Sequence, residues 1–132
     1  QEEKENKAVN EMLEEQLEVV PEKATEEKPY TPVVDPVLVA GESKILGTSY
    51  YNPGFKQCED DGASFTLECQ DIDFAYTSAP KKIKSKQSEI IAGEFAIDGK
   101  PGTYKCSFKI LCGDLRVAQT TTYVRLQRPA IN

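Results

Sequence analysis

Hydrophobic and polar residues alternate most regularly near the C-terminus of the chain. In the segment 104–112 every second position is apolar or cysteine: Tyr104, Cys106, Phe108, Ile110 and Cys112. This two-residue period predicts a β-strand with one buried face. Glycine and aspartate at 113 and 114 end the strand. The following segment, 115–126, is rich in β-branched and aromatic residues and predicts a returning strand, so that the two form a hairpin.

Further segments with strand patterns precede this hairpin, and turn residues separate them. Prolines at 29, 32 and 36 place the first of these segments at a sheet edge, where an unpaired amide is tolerated. No helical period occurs after Pro29. The pattern therefore predicts an all-β, antiparallel sandwich of about seven strands, whose other segments are 30–40, 44–51, 63–69, 72–77 and 90–97.

The N-terminal residues 1–28 have a different character. They carry ten glutamates and four lysines, which equals the whole net charge of −6, and the rest of the 132-residue chain is neutral. Apolar residues recur among them at three- and four-residue steps, which is typical of a short amphipathic helix that is marginal unless its apolar face docks. The segment is interpreted either as a solvated acidic linker or as a partner-docking helix with the face Val9, Met12, Leu13, Leu17 and Val20.

These patterns divide the chain into a flexible acidic arm, disordered or partly helical, over residues 1–28 and a β-sandwich domain over residues 29–132. The composition of the arm buries too little apolar area to offset the entropy of ordering it. We therefore expect its deletion to change the melting temperature by only about one or two degrees.

The residue inventory argues against catalysis. The chain has no histidine, which excludes Ser-His-Asp and Cys-His sites and histidine-bound metals. Ser78 and Lys81 fit a Ser-x-x-Lys pattern, but Pro80 interrupts the helix that this chemistry needs. We expect a protein that is not an enzyme and that holds no metal or cofactor. A neutral domain also gives no reason to expect nucleic-acid binding, and no segment resembles a membrane span.

The four cysteines favour disulfides over a zinc site, because their spacing lacks Cys-x-x-Cys pairs. Disulfides indicate an extracytoplasmic location: periplasmic, cell-surface or secreted. Cys106 and Cys112 on one extended strand would lie about 20 Å apart, whereas a disulfide needs about 7 Å or less. This disfavours the pairing of 58 with 69 and 106 with 112, unless the strand ends early. The other two pairings stay open.

The segment 98–106, Asp-Gly-Lys-Pro-Gly-Thr-Tyr-Lys-Cys, resembles the tyrosine corner of the immunoglobulin-like superfamily. In that corner a glycine-containing turn precedes a tyrosine, which lies two residues ahead of a core cysteine. The resemblance extends loosely over residues 30–128. It implies an immunoglobulin-like β-sandwich with Tyr104 as the corner tyrosine and Cys106 on strand F.

The same resemblance implies a disulfide pairing. Cys69 would be the strand B cysteine and would bond to Cys106 across the two sheets. Cys58 would then meet Cys112 near one end of the sandwich.

Two stretches are candidate binding surfaces. Three aromatic rings surround a turn at Tyr50, Tyr51 and Phe55, and they serve either as a binding loop or as a cap on the core. The connection 81–86 is basic, and an acidic arm of a neighbouring copy could meet it. Its cations are Lys81, Lys82, Lys84 and Lys86.

The leading functional hypothesis is a non-enzymatic protein-interaction or assembly module of an exported or surface protein. Displayed on its acidic arm, it would bind another protein or copies of itself. The alternative is a small-ligand or carbohydrate-binding module that uses the aromatic loop of residues 50–55. A secreted protease inhibitor ranks third, because Asn52-Pro53-Gly54-Phe55 resembles the first binding loop of chagasin-type cysteine-protease inhibitors.

Overall fold

The structure is a computed structural model that describes residues 2–33, 36–72 and 74–130. Strands account for most of the secondary structure in these ranges, as the alternating pattern predicts. One short helix in the middle of the chain contradicts the expectation of no helix after Pro29, because five residues are too few to show a helical period. The elements are α1 Glu2–Glu15, β1 Val37–Val39, β2 Ser43–Tyr51, α2 Lys56–Asp60, β3 Ala63–Cys69, β4 Phe74–Thr77, β5 Ser88–Ile97, β6 Gly102–Cys112 and β7 Leu115–Gln127.

The strands form two sheets, with the orders β1-β7-β6-β3 and β2-β5-β4. β1 runs parallel to β7, and the other strand pairs are antiparallel. This distribution places β2, β5 and β4 as strands B, E and D, and it places β3, β6 and β7 as strands C, F and G. The expected immunoglobulin-like β-sandwich is confirmed.

Three phenylalanines join the two sheets in the core. Phe65 on β3 stacks on Phe108 of β6, with ring centroids 5.3 Å apart. Phe95 on β5, in the opposite sheet, meets both rings edge-on at 5.4 and 5.8 Å. All three side chains are fully buried. Edge-to-face contacts contribute about 0.5–1.5 kcal/mol each beyond the burial of apolar area, so this trio fixes how the sheets face each other.

The tyrosine corner is present at the start of β6. The hydroxyl of Tyr104 donates a hydrogen bond to the backbone oxygen of Lys100, as a corner tyrosine does. Cys106, two residues later, is 1% exposed and belongs to the core. The resemblance therefore identified this turn correctly.

The cysteines pair as the resemblance implies, but one bond has a different geometry. Cys58 on α2 is bonded to Cys112 at the end of β6, and Cys69 is bonded to Cys106. Cys69 ends the third strand, not the second, and it lies directly opposite Cys106 on the adjacent strand. The expectation of a bond across the sheets is wrong, because segment 43–51 already supplies the second strand. The bond links neighbouring strands of one sheet, with Cα atoms 4.1 Å apart.

The N-terminal segment packs on the sandwich. Helix α1 lies against β5, and Leu13 in its last turn is only 1% exposed. Beyond the helix, the side chain of Leu17 covers Gly47 on β2, where an added Cβ would come within 2.9 Å of it. A glycine at this position therefore lets the segment approach the sheet closely.

Ala24 anchors the rest of the N-terminal segment to the same face. Its backbone N–H donates to Ser49 Oγ at 2.8 Å, and its carbonyl accepts a hydrogen bond from Ser88 Oγ. These serines belong to neighbouring strands, β2 and β5. Helix α1 confirms the partly helical form of the expected N-terminal arm, while its flexibility and the boundary between residues 28 and 29 remain predictions.

The expected docking face of the N-terminal segment is only partly correct. Leu13 and Leu17 contact the sandwich, and Val9 is half-buried. Met12 and Val20 are 47% and 67% exposed. The reason is that the helix ends at Glu15, so that residues beyond it no longer follow the helical spacing.

We predict that Leu13→Ala destabilises the protein by about 2–3 kcal/mol, because it empties a buried position between α1 and the sheet. Met12→Ala is the matched control on the same turn and should change stability by less than about 0.5 kcal/mol. Urea unfolding of both variants measures the difference. Equal effects would show that α1 does not dock in solution.

Candidate functional site

The three aromatic rings of the predicted binding loop do not form a surface. Tyr50 is 2% exposed and belongs to the core, and Tyr51 is 9% exposed on the opposite face of β2. Phe55 is 40% exposed. The reason is that Tyr50 and Tyr51 are the last two residues of β2, so the sandwich core buries one and the N-terminal layer shields the other. This corrects the expectation of an aromatic binding loop.

The loop that resembles a protease-inhibitor loop is held by its own asparagine. Asn52 is fully buried, and its Nδ2 donates to the backbone oxygens of Phe55 and Ile83 at 3.1 and 2.9 Å. Its Oδ1 accepts from the N–H groups of Gly54 and Phe55 at 3.0 and 2.7 Å. All its bonds are internal, so this side chain closes the turn and is unavailable to a protease.

Two of the four predicted lysines bind the acidic helix of the same chain. Lys81 Nζ forms ion pairs with Glu14 at 2.8 Å and with Glu89 at 3.3 Å. Lys82 pairs with Glu3, and this hydrogen-bonded contact lowers the pKa of Glu3 and raises the pKa of Lys82. The expected contact between acidic segment and basic connection is thus made within one copy, which leaves the exposed Lys84 and Lys86 outside it.

Ser78 and Lys81 serve separate structural purposes. The Ser78 hydroxyl accepts from the Phe65 N–H at 3.0 Å and donates to the Ala92 carbonyl at 3.5 Å. Lys81 meanwhile donates to the Ile90 carbonyl at 3.1 Å. The serine therefore links β3 to β5, and the lysine fastens α1 to the sheet.

The side of β3, β6 and β7 that points away from the core is a broad exposed surface. We call it the outer face. Glu68 and Lys109 form an ion pair across it, and this pair lowers the pKa of Glu68. Ser107 and Thr121 share a hydrogen bond of 3.1 Å. Four cations and one carboxylate point outward there: Lys105, Lys109, Arg116, Arg125 and Glu68. The outer face is therefore cationic although the chain as a whole is acidic.

An aromatic ring flanked by two cations stands out on the outer face. Tyr123 is 58% exposed and lies directly opposite Lys105 on the neighbouring strand. Arg125 is exposed two residues further along the same face. Neither Lys105 nor Arg125 joins an ion pair within residues 2–33, 36–72 and 74–130. A tyrosine offers rigid contact area and the cations recognise carboxylates, so this trio suits an acidic polypeptide.

The sequence analysis placed Lys105 on the polar side of β6 but did not find the trio. The hairpin register brings its members together, and that register contains an irregularity. Ile110 pairs with Ala118 and Leu111 with Arg116, so that Val117 is an extra residue on β7. A count from the turn without this bulge would place Thr122 opposite Lys105. The bulge therefore aligns Tyr123 with the lysine.

Two other classes of site were sought over the described ranges. No group of three or more His, Cys, Asp or Glu residues in them is placed to hold a metal ion. None of the helices described is both long enough and apolar enough to cross a membrane.

No protein-family model and no curated protein matches the chain. Several solved structures resemble it distantly, and three of them are described here. SSP-19, an MSP-domain protein like family member in Caenorhabditis elegans, is 9% identical, with a TM-score of 0.37 over 70% of this chain and 94% of that chain. The ZirS C-terminal domain is 16% identical, with a TM-score of 0.43 over 85% and 74%. WR4, a C. elegans MSP family member, is 7% identical, with a TM-score of 0.36 over 69% and 92%. These values assign no family.

We predict an alkaline loss of stability that depends on Tyr50. Burial raises the pKa of Tyr50 to about 12 from an ordinary value of 10.0. The unfolded chain therefore loses this proton first, so that stability is steady below pH 10 and falls as the pH rises from 10 towards 12. Tyr50→Phe should reduce this fall in urea unfolding. Part of it should remain, because burial also raises the pKa of Tyr30.

The control for this experiment is Tyr123→Phe, since Tyr123 is 58% exposed. Its alkaline profile should match that of the unaltered protein. A Tyr50→Phe profile that also matches would show that the Tyr50 phenol titrates as if it were solvent-exposed.

Proposed function

We propose that this chain is a non-enzymatic protein-interaction module and that the outer face is its contact surface. This proposal rests on the exposed trio of Lys105, Tyr123 and Arg125. Tyrosine and arginine are enriched at protein interfaces and dominate their binding energies. The trio stands on paired strands, so binding would order side chains but not backbone, which keeps the entropy cost low.

The packing of the N-terminal segment supports the choice of this face. Residues 2–28 occupy the outer face of the opposite sheet, where Leu17 covers Gly47 and Ala24 binds Ser49 and Ser88. On the outer face of β3, β6 and β7 the side chains instead bond chiefly to one another. A partner can therefore reach it without displacing part of the chain.

The two disulfides support an extracytoplasmic site of action. Cys58, Cys106 and Cys112 are at most 1% exposed, and disulfides form and persist in oxidising compartments. The periplasm, the cell surface and the extracellular space are all oxidising environments. Blocking free thiols in intact cells before extraction should leave all four cysteines unlabelled. Labelling of the cysteines under non-reducing conditions would place the protein in a reducing compartment.

We predict that a photo-crosslinking amino acid at position 123 captures a protein partner in native extracts. The same substitution at Tyr76 is the matched control, because Tyr76 is also a largely exposed strand tyrosine, 46% exposed, but lies on β4 of the other sheet. Mass spectrometry identifies the adducts. Adding Lys105→Gln and Arg125→Gln should lower their yield at position 123. Absence of adducts, or equal yields at both positions, would contradict this contact surface.

A further inference from the structure

We propose that the partner of the outer face is the acidic N-terminal segment of a second copy, so that copies associate head to tail. The inference rests on the proposed function of the outer face, and it deepens that function by naming the partner. It follows from which charges are already paired within one copy and from where the unpaired ones lie.

Most of the unpaired charges of the N-terminal segment are negative. Lys4, Lys7, Lys23 and Lys28 also join no ion pair among the described residues, but the unpaired glutamates outnumber them. Glu3 and Glu14 are neutralised within the chain by Lys82 and Lys81. Glu11, Glu15 and Glu18 are exposed, and none of them joins an ion pair in the part of the chain that the structure describes. They follow one another at steps of four and three residues, which gathers the first two on one side of α1.

The unpaired charges of the outer face are positive. Lys109 is neutralised by Glu68, and Arg116 is hydrogen-bonded to Gln119. Arg116 keeps its charge, because the amide of Gln119 is neutral. Lys105 lies opposite Tyr123 on β6, and Arg125 lies two residues along β7, and neither is in an ion pair among the described residues. The carboxylates of the N-terminal segment are the chemistry that these two cations recognise.

No ion pair joins the two sets of charges within the described residues of one molecule. The N-terminal segment covers the outer side of one sheet, whereas Lys105 and Arg125 lie on the outer side of the other. A second copy can bring the two sets together, and the resulting contact joins two different surfaces. Such a heterologous contact leaves one of each surface free, so that it adds further copies in a row or a ring.

Sedimentation velocity on the full chain tests this association. At about 20 mM salt the sedimentation coefficient should rise with protein concentration, because screening is weak. At about 300 mM salt the apparent dissociation constant should increase at least roughly tenfold. A chain that remains monomeric at low salt over the whole concentration range would overturn the proposal.

Two charge-neutralised variants sharpen the test. The face variant carries Lys105→Gln and Arg125→Gln, and the helix variant carries Glu11→Gln, Glu15→Gln and Glu18→Gln. Each should be monomeric alone, since each lacks one half of the contact. Mixed together they retain one complete contact and should form a one-to-one dimer that grows no further. A mixture that stays monomeric would contradict head-to-tail pairing.

The matched control is Lys84→Gln with Lys86→Gln, which removes the same charge from exposed lysines elsewhere. It should associate like the unaltered chain. If it does not, the loss of association in the face variant reflects net charge and not the outer face, which would contradict the proposal. Melting curves establish that every variant is folded. Should the chain stay monomeric while position 123 crosslinks to a different protein, self-association is overturned and the proposed function of the outer face stands.

Discussion

The middle of β5, the central strand of the sheet β2-β5-β4, is buried on both of its faces, and this constraint decides which surfaces the molecule exposes. Ile91 and Ala92 are neighbours on β5 and point to opposite sides, yet they are 0% and 1% exposed. The core covers one side and the N-terminal segment covers the other. Small residues such as Gly47 and Ala92 make that close approach possible. The outer face of the other sheet is left to solvent, as are most side chains of the edge strand β4.

The same packing determines how charge is distributed. A segment with ten glutamates is held on the sandwich by one buried leucine, two serine hydrogen bonds and the ion pairs of Lys81 and Lys82. Most of its carboxylates stay in water, as their desolvation cost requires. Lys105 and Arg125, which this segment does not pair, lie on the outer face of the other sheet.

Two disulfides reinforce the small core of the sandwich. Cys58–Cys112 ties the short helix α2 to the end of β6, and Cys69–Cys106 ties the end of β3 to the middle of the same strand. Both therefore brace β6, which also carries the corner Tyr104 and the stacked Phe108. A rigid β6 gives the outer face a fixed frame, since Lys105 is part of that strand.

The sandwich, six of its strands and the tyrosine corner could be predicted from the sequence, because a two-residue period and a Gly-x-Tyr-x-Cys turn are local signals. Only the tertiary structure decided where the N-terminal segment lies, since docking depends on small residues of distant strands. The run Ile90-Ile91-Ala92 was the available signal, because consecutive apolar residues indicate a strand covered on both faces. The placement of Lys105, Tyr123 and Arg125 on one face also needed the structure: one bulge at Val117 shifts the register of β7, and a shift of one residue exchanges the two faces of a strand.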